Sequence, residues 1–215
     1  MEIDLRPGDV YLLAAESRLL HFDGALQTAI KIAQLLNRLV RRWPSRYRIV
    51  HVGLARGDEC GHEAIEALPD VGVVRHPLPA ALDRIADGGL RAWIVPVDCR
   101  LADPSPAGGA RRMWDHVAGY AADRRGYDYI GAVRSVGLLE RWAGAGRRGD
   151  DRLFCSEAVA EAAVRTVWPG LAPPQWDNRV GFLARNPHCQ TPARVAAWPL
   201  WDWRLAIRVP YAPED

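Results

Sequence analysis

RLFCSEAVAEAAV, residues 152–164, sets Cys155 where a short apolar run turns into a helix-forming run. From Ser156 onward the residues are Ala, Glu, Val and Arg, which a helix accepts. Val159, Ala163 and Val167 recur at near-helical spacing with Ala162 beside them, so one face is apolar. Trp168-Pro169-Gly170 stops the pattern. Cys155 therefore stands at or just before the first turn. Unpaired N–H groups and the positive end of the helix dipole favour a thiolate at such a position. The competing reading is a small apolar residue at the start of a buried helix, since free cysteine is among the most buried residue types.

The segments before this helix read mainly as strands. GDVYLLAA (Gly8–Ala15) is a short buried strand after a Pro7-Gly8 turn. Strands are expected at Arg48–Ala55, His62–Leu68 and Val71–His76, separated by the turn-forming RGDECG and PD. Short connections of that kind point to an antiparallel meander. PAALDRIADG predicts a helix of one to two turns closed by Gly88. LRAWIVPVD predicts a further strand, whose Pro96 suggests an edge or a bulge.

Helices dominate elsewhere. GALQTAIKIAQLLNRLVRRW (24–43) is amphipathic, with a stripe of Leu26, Ile30, Ala33, Leu36 and Val40. Its Gln34 and Asn37 leave an ordinary polar face, which favours packing on the core over a membrane-surface role. ARRMWDHVAGYAADRR buries Met113, Trp114, Val117, Ala118 and Ala121. GYDYIGAVRSVGLLERW reads as helical in part, AGAGRRGDD as a loop. The order is strands first and helices later, an α+β plan.

The chain has 215 residues, 49% hydrophobic and 25% charged. That is the size and composition of a single globular domain. A net charge of +2 gives no general attraction to nucleic acid. Lys31 is the only lysine, which reads as the coding bias of a GC-rich bacterial or phage genome. The Arg pairs at 41–42, 111–112, 124–125 and 147–148 are dispersed and read as solvated faces. MEIDLRPGDV has no features of a signal peptide, and no apolar run is long enough to cross a bilayer. A cytoplasmic place with reduced thiols is the default expectation. Cys60, Cys99, Cys155 and Cys189 form no C-x-x-C pair. Cys60 with His62, and His188 with Cys189, match no common zinc spacing. No metal or cofactor is expected.

A cysteine nucleophile needs a base, and the base needs an orienting group. His51 lies mid-strand in IVHVGL. Alternation puts Val50, Val52 and Leu54 on one face and Ile49, His51 and Gly53 on the other. Glu66 lies between Ile65 and Ala67 on the next strand, where an unpaired carboxylate is costly. If the two strands are neighbours, Glu66 accepts a hydrogen bond from one ring nitrogen of His51 and leaves the other for Cys155. Glu157 and Glu161 read as a solvated helix face, not an acid/base pair. Trp198, Trp201 and Trp203 read either as core or as the wall of a pocket.

LRPGDVYLL, HVGL, AIEALPDVGVVRHPL, GYDYIGA and FCSEAV, in that order, resemble the circularly permuted papain-like proteins of the NlpC superfamily. The likeness is to the YiiX/YebB-like clade, with lecithin retinol acyltransferase a more distant relation. It covers about Leu5 to Ala163. Residues 17–47 look like a helical insertion, and the Trp- and Pro-rich tail 170–215 matches nothing in the family. The resemblance implies an antiparallel sheet packed against helices, with the His strand early and the Cys helix late. It makes Cys155 the nucleophile, His51 the base and Glu66 the orienting residue. It places Tyr127 at the active site, where its hydroxyl and the Cys155 N–H would hold an oxyanion. Asp9 would be structural. The implied activity is hydrolysis of an amide or ester in a peptide, a peptidoglycan stem peptide or a lipid acyl group. The rival expectations are an acyltransferase of the same fold and a catalytically silent binding or phage-structural domain. The residues 26–42 and the Trp-rich tail are expected to govern substrate access.

Overall fold

Tyr11 to Ala15 read YLLAA, apolar without alternation, and the reason is that both sides of the strand are covered. The computed structural model describes residues 3–17, 48–59, 61–99, 108–128, 132, 152–167 and 190–209. Strand β1 (Val10–Glu16) runs inside a six-stranded sheet with β2 (Ile49–Arg56), β3 (Glu63–Leu68), β4 (Gly72–Pro77), β5 (Arg91–Pro96) and β8 (Ile207–Arg208). The order is β4-β3-β2-β1-β5-β8, and each pairing is antiparallel. The architecture is α+β.

Each face of the sheet has its own apolar cluster. Val10, Leu12 and Ala14 of β1 point to one face, Tyr11, Leu13 and Ala15 to the other. The first face is covered by α2 (Gly109–Ala122) through Met113, Trp114 and Val117, and by α3 (Cys155–Thr166) through Val159, Ala162 and Ala163. The second is covered by α1 (Leu78–Asp87) through Leu78, Ala81 and Ile85. Pro77 precedes α1 and Gly88 caps it, so the helix has ten residues, longer than the one to two turns expected. Burying each such Leu or Ile contributes about 1.5–3 kcal/mol.

Strand positions follow the expected meander within a residue or two at each end. Pro96 ends β5, whose outer edge meets β8 only at Trp93 and Ile94. Gly126-Tyr127, at the head of the segment expected to be helical in part, form the two-residue strand β6, parallel to β7 (Arg152–Leu153). A pair that short carries no periodicity to read. Glu157 and Glu161 are not a solvated face: Glu157 is buried, and Glu161 bonds Arg165 at 2.6 Å and the Tyr120 hydroxyl. An alanine-rich helix packed between the sheet and α2 leaves little of itself in water. The tail, last, belongs to the core. The short helix α4 (Pro192–Val195) packs on β2 and α3, and Trp198 and Trp201 are buried in the first cluster. The helix expected at 24–43, the loop at 143–151, Cys60, His188 and Cys189 lie outside the described residues. No described helix is long and apolar enough to cross a membrane.

Candidate active site

The β1–β2 ladder slips between Ala15 and Glu16: Ala15 faces His51 and Glu16 faces Ile49, leaving Val50 as the extra residue. Such a bulge re-aims the side chains beside it. The strict alternation expected of β2 therefore fails at its start. Ile49 joins Val52 and Leu54 on the first face, and Val50 joins the second.

On the other side of β2, pairing with β3 covers only Leu54–Ile65, Ala55–Ala64 and Arg56–Glu63. Beyond Leu54 the two strands part, and His51 stands at that seam. Its Nε2 lies 2.7 Å from Oε2 of Glu66. A carboxylate only accepts, so Nε2–H donates and Nδ1 is left for the thiol. Gly53 fits this seam for a specific reason. A Cβ there would stand 2.7 Å from the Ile65 carbonyl oxygen and 2.9 Å from Cγ of Glu66. We expect Gly53→Ala to displace the Glu66 stem and to lower turnover at least tenfold, with the thermal midpoint falling by only a few degrees. Paired kinetic and calorimetric measurements check this; unchanged turnover would show that the seam tolerates the methyl group.

Cys155 is the first residue of α3, after an extended Phe154. The Glu157 carboxylate turns back to accept the Phe154 N–H at 3.3 Å, which fixes the helix start. The thiol is 4% exposed and sits in the cluster under the first face, against β2. Glu66 lies under the second face with α1. His51 thus joins groups from both sides of the sheet: a side-chain hydrogen bond links it to Cys155 as well as to Glu66.

Protonation follows from this arrangement. Burial opposes charge on the imidazole, but the Cys155 charge and hydrogen bond, with Glu66 behind, outweigh it and hold His51 up at about 9. Burial likewise raises the thiol. The His51 charge and hydrogen bond outweigh that, helped by the backbone N–H groups of Val52 and Ser156, and Cys155 ends below its ordinary range. Glu66 is fully buried, yet its bonds to His51 and His76 and the Arg84 charge keep it well below the usual carboxylate range. The lowered thiol and the raised imidazole both favour a thiolate–imidazolium pair.

The structure brings Cys155, His51 and Glu66 together. Tyr127 stands on β6 opposite Leu153, two residues before Cys155 in the chain, and packs against the first cluster. Asp9 has the structural place expected: its carbonyl accepts the Gly57 N–H at 3.2 Å, beside Gly8 at φ 84°. His62 Nε2 lies 2.7 Å from the Ile3 carbonyl oxygen and ties down the first strand's approach. Sequence reasoning missed two partners of Glu66. His76 Nε2 meets Oε1 at 2.9 Å, and Arg84 Nη2 meets Oε2 at 2.5 Å. His76 was within reach of the sequence, because it lies on Glu66's side of the next strand. Arg84, on a helix, was not. Among the described residues no group of three or more His, Cys, Asp or Glu side chains could hold a metal ion.

In comparisons with known proteins, no family model, no curated protein and no solved structure matches the chain.

Proposed function

We propose that the protein is a thiol hydrolase with a circularly permuted papain-like fold, acting on an amide or ester through a Cys155–His51–Glu66 triad. The observation that carries this reading is the hydrogen-bonded chain from a helix-first cysteine through His51 to a buried carboxylate.

Each residue has a defined part. His51 Nδ1 holds the proton taken from the thiol, and Glu66 stabilises the resulting imidazolium and its tautomer. The Cys155 sulfur attacks the carbonyl carbon. The carbonyl π pair moves to oxygen, where the N–H of Cys155 and the hydroxyl of Tyr127 are the candidate donors. The oxyanion collapses, the bond to the amine or alcohol breaks, and the imidazolium gives that leaving group its proton. Water then gives a proton to His51 and attacks the thioester, releasing the acid and the free thiolate. Apolar surroundings suit a peptide or acyl group. The resemblance of the motifs supports the same chemistry.

Brief labelling with limiting iodoacetamide, mapped by mass at a series of pH values, tests the reading. A depressed thiol and a raised imidazole bracket the window in which the ion pair exists. Cys155 labelling should therefore rise at lower pH than that of a model cysteine peptide, whose pKa of about 8.5 leaves it mostly protonated near neutral pH. Turnover of a thiol-reactive acyl substrate should fall on the alkaline side near 9, as His51 loses the proton owed to the leaving group. Cys155 labelling that tracks the model peptide would exclude an activated thiol.

A further inference from the structure

Glu66 serves more than His51. Its side chain is wholly shielded from water, and its carboxylate meets His51 and Arg84 at Oε2 and His76 at Oε1. His76 comes from β4, two residues beyond Val74, which stands opposite Glu66, and so on the same side, and Arg84 comes from α1. The groups facing this carboxylate are thus His51 from β2, His76 from β4 and Arg84 from α1, with Cys155 of α3 beyond His51. Arg75, the neighbour of His76 in sequence, is turned to Glu63 at 2.6 Å and takes no part.

We infer that His76 is a positioning residue for the triad: it fixes Oε1 of Glu66 so that Oε2 meets His51, while Arg84 sets a positive charge beside the buried carboxylate. This rests on reading Cys155 and His51 as nucleophile and base. Geometry sets the role. A carboxylate rotates about its last bond, and a donor held at one oxygen fixes the direction of the other. A carboxylate oxygen only accepts, so His76 donates Nε2–H to Oε1 of Glu66, from a side chain 21% exposed.

The test compares His76→Phe, His76→Gln and His76→Asn in the full chain, with folding checked by circular dichroism. The readout is the pH dependence of Cys155 alkylation, which a merely structural residue would not move. Phe removes the donor, and the acid limb should rise by about one unit, a tenfold loss of labelling below it. Gln can donate to the same oxygen and should restore the wild-type limb. Asn is too short to reach that oxygen, and its limb should rise as far as that of Phe. An unmoved limb in Phe or Asn, or a Gln variant shifted as far as Phe, overturns the role. If Phe does not fold, the Gln–Asn contrast decides alone. Failure of the triad reading looks different: wild-type Cys155 would then label like a model thiol, whatever stands at position 76.

Discussion

Cys155→Ala, His51→Ala and the double variant should all fall to one floor, on the order of 10⁴-fold below wild type for an activated acyl substrate. Groups that act as a unit are lost as a unit. Without Cys155 there is no nucleophile for His51 to serve. Without His51 the thiol sits 4% exposed in an apolar cluster, and burial, then opposed only by the Val52 and Ser156 N–H groups, works to keep it protonated. Two independent contributions would instead multiply, making the double variant far worse than either single one. Glu66→Gln should lie between this floor and wild type, because the base is still present. It should nonetheless cost about a hundredfold or more, since a wrong tautomer alone is expensive. All of Glu66's partners are donors, and a glutamine must turn its NH₂ toward one of them. Near-wild-type turnover by His51→Ala would remove His51 from the mechanism. Additive losses would show that the two residues act separately.

The His51–Glu66 pair was legible because strands joined by short turns pair with their neighbours, and a carboxylate set between Ile65 and Ala67 must find a partner. Cys155 was legible because the helix-forming run from Ser156 onward places it at a helix start. What stayed hidden was non-local or aperiodic. The bulge at Val50 arises from the match of β2 to β1, and nothing in RIVHVGLA records it. The parting of β2 from β3, which lets His51 reach both faces of the sheet, is likewise a property of the pair of strands. Arg84 reaches Glu66 only through the packing of α1. The polar side of α3 was misread because its charged residues face neighbours: Glu161 meets Tyr120, which in turn lies 2.7 Å from His116 Nε2. Helical spacing separates faces but does not say which face meets water.

The tail carries the largest expected effect on stability. The Trp residues of WPLWDW were read as core or as a pocket wall, and the tail was expected to govern substrate access. Trp201 is 4% exposed within the cluster that also holds Cys155, its Nε1–H donates to the Val195 carbonyl at 2.7 Å, and its backbone bridges to Val97 at the end of β5. Trp201→Ala should therefore destabilise the protein by about 3–5 kcal/mol through the cavity it leaves and the indole hydrogen bond it loses. Against a typical total of about 5–15 kcal/mol, that loss threatens folding itself. Trp203 is a contrast. It is only partly buried, packs edge-on to Trp93 at 5.9 Å and donates to the Ala196 carbonyl at 2.6 Å. Its truncation should cost less than half as much. Urea titrations of the two variants check the ranking, and Cys155 labelling of whichever remains folded separates stability from chemistry. A Trp201→Ala protein as stable as wild type, with altered preference for bulky substrates, would return the tail to the role of a pocket wall. The expected result makes the tail a clamp across β5 and β2 that holds the His51 strand against α3, so that the distance from imidazole to thiol depends on residues at the far end of the chain.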